Sequence, residues 1–360
     1  MKTLNWYIVK NFLIAFGMSI GILTFCMLGA RLVQVLEFVA RGAPLSAFGQ
    51  FLLYVMPIVL TFTIPLSVLV AIMLVFGRMA ADSEITAMRA CGISILQLVS
   101  PIMIITILLT AFCLYLQVQV GPPWLGKARY VLQDALTEEP MAFFRPGESI
   151  SYDNRIIYVD DIVGENGLKD IQIFEYNKDE SINDYRAAYG EIHVDQATEK
   201  FSIVMQDCEM VTAMGDERVH MRADQLEFTF DFGKERNSRN ISQRPKHMTL
   251  EDLMARIRIA KVNNEDTCEL EVELNQRIAF ALSPIAFLLL GIPMAIHTSR
   301  RETSVGLFIG AIAGGALFLA IILCESLTKI PQIYPQYLLW LPNLLYQVAG
   351  AYMVYKITRK

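Results

Sequence analysis

One stretch of the sequence has the residue types of a phosphate-binding loop. Gly121, Gly126 and Lys127 satisfy the pattern G-x-x-x-x-G-K, in which backbone amides and a lysine hold the phosphates of a nucleotide. However, Ala128 stands where the hydroxyl that holds Mg²⁺ belongs, and two prolines in the loop have no N–H to donate. The segment is therefore predicted to be a helix exit and not a nucleotide site.

Metal and nucleophile chemistry have equally little support in the sequence. The four histidines have no second ligand at metal-binding spacing: His193, His220, His247 and His297. Neither Cys-x-x-Cys nor Gly-x-Ser-x-Gly occurs. Cys208 and Cys268 share one compartment and could pair, although two separate buried thiols also fit. We therefore expect no metal, no cofactor and no catalytic residue.

The segment 78–92 combines acids, bases and apolar residues at helical spacing, and Gly92 suits a helix end. These residues form two stripes, with Asp82, Ile85 and Arg89 on one and Glu84 and Met88 on the other. Such a helix, lying against a membrane surface, could dock another subunit. The alternative is a solvated loop that closes a helical hairpin.

Two further groups of residues could bind lipid or another helix. Basic residues at the outer ends of two predicted spans could hold anionic head groups, or simply reach the interface as long side chains do: Arg31, Arg41, Lys127 and Arg129. Gly306, Gly310 and Gly314 form a small-residue stripe that permits close helix contact. The partner of that stripe could lie in this chain or in another.

The elements that must position these residues follow from the charge distribution. Residues 127–276 hold 18 Lys/Arg against 31 Asp/Glu, a net charge of −13, whereas the other residues hold 13 against 5, a net charge of +8. An acidic block therefore interrupts a weakly basic, very apolar chain. This excludes a single soluble globule, and the absence of a basic face excludes nucleic-acid binding.

Six charge-free stretches are long enough to cross a bilayer as helices, which needs about 20 residues each. They lie at 11–30, within 42–77, within 90–126, and at 278–299, 303–324 and 330–355. Nine cations flank the ends on one side, and three flank the other. The positive-inside rule therefore predicts cytoplasmic termini, three spans on each side of the insert, and an extracytoplasmic block 127–276.

Within the insert, residues 149–232 alternate apolar and polar positions over several short runs separated by turn signals. This pattern predicts an all-β domain over 127–248, an antiparallel sandwich or jelly roll. Thr249 followed by Asp252 predicts a capped amphipathic helix near 250–263, and we assign 249–276 as a connecting helix. The membrane parts are then 1–126 and 277–360.

Residues 77–94, GRMAADSEITAMRACGIS, closely resemble the coupling-helix signature of the LptF/LptG permease family. The resemblance extends through GPPW at 121–124, LNQRIA at 274–279, LGIPM at 290–294 and WLPN at 340–343, so it covers nearly the whole chain. The residues SEIT at 83–86 of the coupling segment resemble LptF more than LptG. The fold implied is six membrane helices with an inserted periplasmic jelly roll.

This resemblance implies a permease subunit of the ABC transporter that exports lipopolysaccharide from the bacterial inner membrane. The implied partners are a cytoplasmic LptB-like ATPase dimer, a paralogous LptG- or LptF-like permease and a single-span LptC-like protein. The coupling residues carried over are Asp82, Ser83, Glu84, Ile85, Met88 and Arg89, and Arg31 and Arg41 become candidates for lipopolysaccharide phosphates. Lys127 and Arg129 are weaker candidates for the same role.

Two other functions fit parts of the pattern. A mechanotransmission protein of ABC type would also have a docking segment and an outer domain, but it would translocate no lipid. A membrane enzyme would need converging acids, histidines or nucleophiles in 127–276, and the sequence offers no such group.

Overall fold

The computed structural model describes residues 2–40, 45–138, 144, 146–147, 149–152, 154–164, 166–176, 182–195, 200–214, 217–231, 245–263, 265–298, 303–329 and 334–359. The chain divides into two compact units. The first comprises 1–31, 53–126 and 242–360, and the second comprises 32–52 and 127–241.

Eleven α-helices occur in the described residues. Those before the sheet are α1 (Lys2–Ala40), α2 (Leu45–Ala81), α3 (Glu84–Ala90), α4 (Ile95–Tyr115) and α5 (Gly121–Glu138). Those after it are α6 (Leu250–Val262), α7 (Cys268–Ala281), α8 (Ser283–Thr298), α9 (Thr303–Ser326), α10 (Pro335–Leu338) and α11 (Trp340–Arg359).

Four described helical segments are long and apolar enough to cross a membrane: Lys2–Leu32, Phe48–Ala81, Ile95–Val131 and Gly306–Ser326. A fifth is formed if α7 and α8, which meet at a bend of 41°, make one span. Pro284, at the second position of α8, cannot donate to the preceding turn, which accounts for the break. The sixth predicted span corresponds to α11, which is not among these candidates, so the count of six stays a prediction.

Aromatic rings fill the core of the first unit. Phe62 of α2 lies 5.2 Å from Phe280 of α7 and 5.9 Å from Phe318 of α9, centroid to centroid. Phe287 of α8 packs edge-on against Phe318 at 5.9 Å. Such edge-to-face pairs add to the packing of apolar side chains. They join α2 to three consecutive helices, α7 to α9, that lie about 200 residues further along the chain.

The chain continues as a helix where an exit was predicted at Gly121. A π-helical turn, Leu116–Val120, joins α4 to α5, and α5 begins at Gly121. Pro122 and Pro123 lack the N–H groups that a regular α-helix would use here, and a wider turn just before them accommodates that loss. The prediction that the helix ends here was therefore wrong. The G-x-x-x-x-G-K pattern lies within a helix, with no loop to cradle phosphate.

The second unit contains one six-stranded antiparallel sheet whose strands neighbour one another in sequence order. The strands are β1 (Ser149–Tyr152), β2 (Arg155–Val163), β3 (Gly167–Tyr176), β4 (Ile182–Asp195), β5 (Lys200–Met214) and β6 (Glu217–Asp231). The inserted antiparallel β domain is thus confirmed. The described strands form a single meander, however, and not the two packed sheets of a sandwich.

Alternate residues of these strands supply a separate core. Ile157 and Val159 of β2, Ile171 and Ile173 of β3 and Ile203 of β5 are each at most 1% exposed. The two-residue period therefore places one face of the sheet inward. The long strands β4 to β6 hold the rest of that face.

Two helices occupy the region assigned to one connecting helix. Thr249 caps α6 by accepting a hydrogen bond from the backbone N–H of Asp252 at 3.3 Å, as the sequence predicts. α6 ends at Val262, and α7 begins at Cys268. The chain therefore turns between the two helices and does not run through 249–276 as one rod.

Candidate functional site

The segment 78–92 forms a helix, a tight turn and a second helix, where one helix was expected. α2 ends at Ala81, and Ser83 adopts a left-handed backbone angle (φ 59°), which interrupts the helix before α3. α3 ends at Ala90, and Gly92 (φ 84°) follows its C-cap as the sequence predicts, with its N–H donating to the carbonyl of Arg89. The tight turn at Asp82 and Ser83 therefore separates α3 from the end of α2. Glu84 and Arg89 belong to this short separate helix.

The side chains of this segment divide into an inner and an outer set. Ile85 is 5% exposed and belongs to the core of the first unit, and Met88 packs half-buried against the same core. Asp82, Ser83 and Arg89 are exposed. The apolar residues therefore hold α3 on the membrane helices, while the polar ones face outward.

Glu84 has a partner that the sequence analysis did not foresee. The hydroxyl of Tyr7 on α1 donates to the Glu84 carboxylate, at 3.3 Å from Oε1 and 3.4 Å from Oε2. The two residues are 77 positions apart, so no local spacing could have revealed the pair. Both distances are long for an O–H···O hydrogen bond, so the contact links the carboxylate to the start of α1 without holding it rigidly.

A nearby ion pair contributes less to the position of the segment. Arg78 Nε lies 3.6 Å from Asp82 Oδ2, and the two side chains are 77% and 56% exposed. Exposed pairs at this spacing contribute little because water and salt screen them. Ile85 and Met88, which pack against the core, are therefore the main internal restraints on α3.

The candidate head-group residues belong to different parts of the chain. Arg31 is exposed on α1, and Lys127 and Arg129 are exposed on α5. Arg31 lies in the first unit and the other two in the second. Arg41 lies outside the described residues.

The glycine stripe of α9 faces α2. A Cβ added at Gly314 would lie 2.7 Å from Leu66 Cδ2, and one at Gly310 would lie 3.2 Å from Met73 Cγ. Gly306 is buried. Gly310 and Gly314 therefore allow α9 to approach α2 within the same chain.

A polar cluster surrounds a cavity of about 700 Å³ in the first unit. Lys246 Nζ and Gln276 Nε2 each donate to the Glu325 carboxylate at 2.7 Å. The hydrogen bond to Glu325 raises the pKa of Lys246 above its usual range, although partial burial opposes this. Glu325, whose role the sequence left open, thus joins the end of α9 to α7 and the 3₁₀ turn Pro245–His247.

Arg277, beside this cavity, is 2% exposed, and each of its three guanidinium nitrogens donates a hydrogen bond. It donates to Glu273 Oε1 at 2.9 Å and to the carbonyl oxygens of Met248 and Pro245 at 2.8 Å each. The planar guanidinium suits such a divergent set of acceptors. Sequence reasoning noted this residue only within LNQRIA: Glu273, four positions before it, was a local signal for the ion pair, but the two carbonyl partners lie 29 and 32 positions away.

Among the described residues, no group of three or more His, Cys, Asp or Glu side chains could hold a metal ion. Cys208 and Cys268 are free thiols, the first buried and the second half-buried. Burial raises the pKa of the Cys208 thiol.

Membrane-capable helices around an inserted antiparallel β domain define the class of this chain as a multi-pass membrane protein. Residues 6–356 match the family described as lipopolysaccharide export system permease LptF/LptG. The chain therefore belongs to the LptF/LptG family. No curated protein matches it significantly.

Proposed function

We propose that this chain is the permease subunit that extracts lipopolysaccharide from the inner membrane and passes it to a periplasmic bridge, driven by a separate cytoplasmic ATPase. Its family is that of the lipopolysaccharide export permeases. The proposal that this chain is coupled to the ATPase rests on α3. This short helix has an outward polar face and an apolar residue, Ile85, that packs in the core.

Within α3 and the turn before it, the roles of the six coupling residues differ. Asp82, Ser83 and Arg89 present polar groups to an LptB-like ATPase, and Glu84 contributes a carboxylate that Tyr7 contacts. Ile85 and Met88 transmit the force, because they connect α3 to the packed membrane core. Movement of the ATPase would thus be passed to α1 through Tyr7 and to the core through Ile85.

In the membrane orientation that we propose, α3 lies in the cytoplasm and residues 127–276 lie in the periplasm. The support for this orientation is the excess of Lys and Arg at the ends on the side of both termini. Under this orientation the β domain receives the lipid, together with an LptC-like protein. A paralogous permease, LptG-like if this chain is the LptF-like partner, would pair with this chain, and the two together would enclose the cavity through which lipopolysaccharide passes.

Lipopolysaccharide carries phosphates, and basic residues at the outer membrane interface suit them. Arg31 and Arg41 are the first candidates, and Lys127 and Arg129 are the second. Arg31, Lys127 and Arg129 are exposed, as such a role requires.

The direct test is a mild-detergent pull-down of the tagged chain, with mass spectrometry of its protein partners and bound lipid. We expect a Walker-motif ATPase, a second permease and lipopolysaccharide. Recovery of the ATPase without lipid would favour mechanotransmission, and a chain that purifies alone and intact would contradict the coupling role of α3.

Glu84→Lys sharpens this test. Reversing the charge should leave the chain folded and lower its affinity for the ATPase about tenfold or more, which corresponds to about 1.4 kcal/mol. Glu227→Lys, at an exposed position on β6, is the matched control and should bind normally. Normal export by Glu84→Lys in assembled complexes would argue against this role.

A further inference from the structure

A groove of about 600 Å³ lies between α1 and α2. Its walls are apolar along most of its length, and its polar residues, apart from Ser19, gather at the end next to α3: Tyr7, Asn11 and Arg78. The apolar walls include Ile14, Met18, Ile22, Val70 and Leu74. The groove is therefore amphipathic along its axis.

The packing of α1 explains why this groove stays open. Ile8 and Phe12 are fully buried and anchor the start of α1 in the core. Further along, the hydroxyl of Thr24 donates to that of Thr63 on α2 at 3.1 Å. Between these two attachments the groove is lined by the small residues Ala15 and Ser19, which do not fill the space.

The dimensions fit a lipid chain better than a helix. The groove runs from Tyr7 to Leu23 on α1, about 24 Å of helix, and from Val70 to Met79 on α2, about 14 Å, so its length is comparable to the roughly 15 Å of one hydrocarbon leaflet or somewhat greater. A 600 Å³ groove of that length has a mean cross-section of about 25 to 45 Å², whereas a helix about 10 Å across needs about 80 Å².

Arg78 is the one cation among the described residues that line the groove, and the carboxylates of Asp82 and Glu84 lie close to its polar end. The Arg78 side chain is 77% exposed and contacts Asp82 only at 3.6 Å through Nε. Asn11 adds an amide to the lining of the same groove. A guanidinium at the membrane interface attracts phosphate and recognises it well.

We propose that this groove binds an anionic phospholipid, with one acyl chain between α1 and α2 and its phosphate at Arg78 and Asn11. The lipid comes from the leaflet next to α3, which is the cytoplasmic one under the proposed orientation. This site is separate from the head-group candidates at the outer interface. It requires neither ATPase docking nor lipopolysaccharide export, and it holds for either orientation.

The test is native mass spectrometry of the full chain, purified with equal amounts of phosphatidylglycerol and phosphatidylethanolamine. We expect the wild type to retain phosphatidylglycerol preferentially, and Arg78→Gln to reduce that preference about fivefold. Lys10→Gln is the matched control, because Lys10 is exposed near the same end of α1 but does not line the groove. Equal losses in the two variants would indicate diffuse attraction and overturn the site.

A second pair of variants tests the acyl part. Ala15→Phe fills the groove and should abolish retention, whereas Leu13→Phe, exposed outside it, should not. Photoactivatable phosphatidylglycerol should crosslink the wild-type chain within 7–23 and 70–79, which needs no substitution. Crosslinks elsewhere, or retention unchanged in Ala15→Phe, would refute the proposal, and capture of a partner's helix by this groove would do so as well.

Discussion

At the scale of single residues, two side chains that no motif singles out help to position the important ones. Tyr7 orients Glu84 from the start of α1. Arg277 gathers Glu273 and two main-chain carbonyls around one guanidinium. Both act as positioning residues, because they restrain neighbours and do not themselves present a reactive group.

Tyr7→Phe removes the hydroxyl that donates to Glu84 and keeps the ring. We expect ATPase affinity to fall about two- to tenfold, the range for one hydrogen bond, and less than for Glu84→Lys. Tyr355→Phe, at an exposed position near the end of α11, is the control. A titration of the purified ATPase measures both, and wild-type affinity for Tyr7→Phe would show that Glu84 needs no positioning.

Arg277→Met should be strongly destabilising, because it leaves a half-buried carboxylate and two carbonyls without their donor. The expected loss is about 3–5 kcal/mol of unfolding free energy, as for other broken buried ion pairs. Arg277→Lys should recover only part of it, since an ammonium cannot span the same acceptors. Unfolding in detergent micelles measures the effect, with the exposed Arg258→Met as reference; similar stability of both methionine variants would contradict this account.

At the scale of elements, helix packing in the first unit depends on close backbone approach. A Cβ at Gly350 of α11 would lie 2.5 Å from the carbonyl carbon of Leu289 and 2.6 Å from the amide nitrogen of Leu290. α8 and α11 can therefore pack this closely only with glycine at this position.

Gly350→Ala should force α8 and α11 apart and destabilise the unit by about 1–3 kcal/mol, the usual range for overpacking. Gly315 on α9 is the matched control, since nothing lies within 4 Å of an added Cβ there. Gly315→Ala should be neutral or stabilising by about 0.5–1 kcal/mol, because alanine favours helix. Thermal unfolding followed by size-exclusion chromatography compares them, and equal midpoints would refute the packing argument.

At the scale of the whole molecule, the chain combines a helical membrane unit with a β unit that has its own core. The acidic insert and the basic ends of the spans give the two units opposite net charge. The excess of Lys and Arg at the ends of the spans on the side of both termini is the basis of the orientation proposed above.

The orientation can be tested with cysteine labelling. In a variant that keeps only Cys91, which is exposed beside α3, an impermeant maleimide should react only after the inner membrane is permeabilised. A cysteine-free chain with His193→Cys, exposed in the β unit, should react in spheroplasts without permeabilisation. The reverse pattern would overturn the proposed topology, and with it the cytoplasmic position of α3.

The sequence by itself determined the features that depend on local composition and periodicity. Charge-free runs identified membrane helices, two-residue alternation identified the β insert, and Thr249 and Gly92 marked helix ends correctly. These features are encoded within a few residues, because burial, capping and backbone angles are local preferences.

Only the tertiary structure decided which distant residues meet. It paired Tyr7 with Glu84, turned Ile85 inward, directed Gly310 and Gly314 to α2 and arranged the strands as one sheet. It also continued the helix past Gly121 through a π-helical turn. The physical reason is that such contacts depend on how whole elements pack, and a periodic pattern states that a face is buried without stating what covers it.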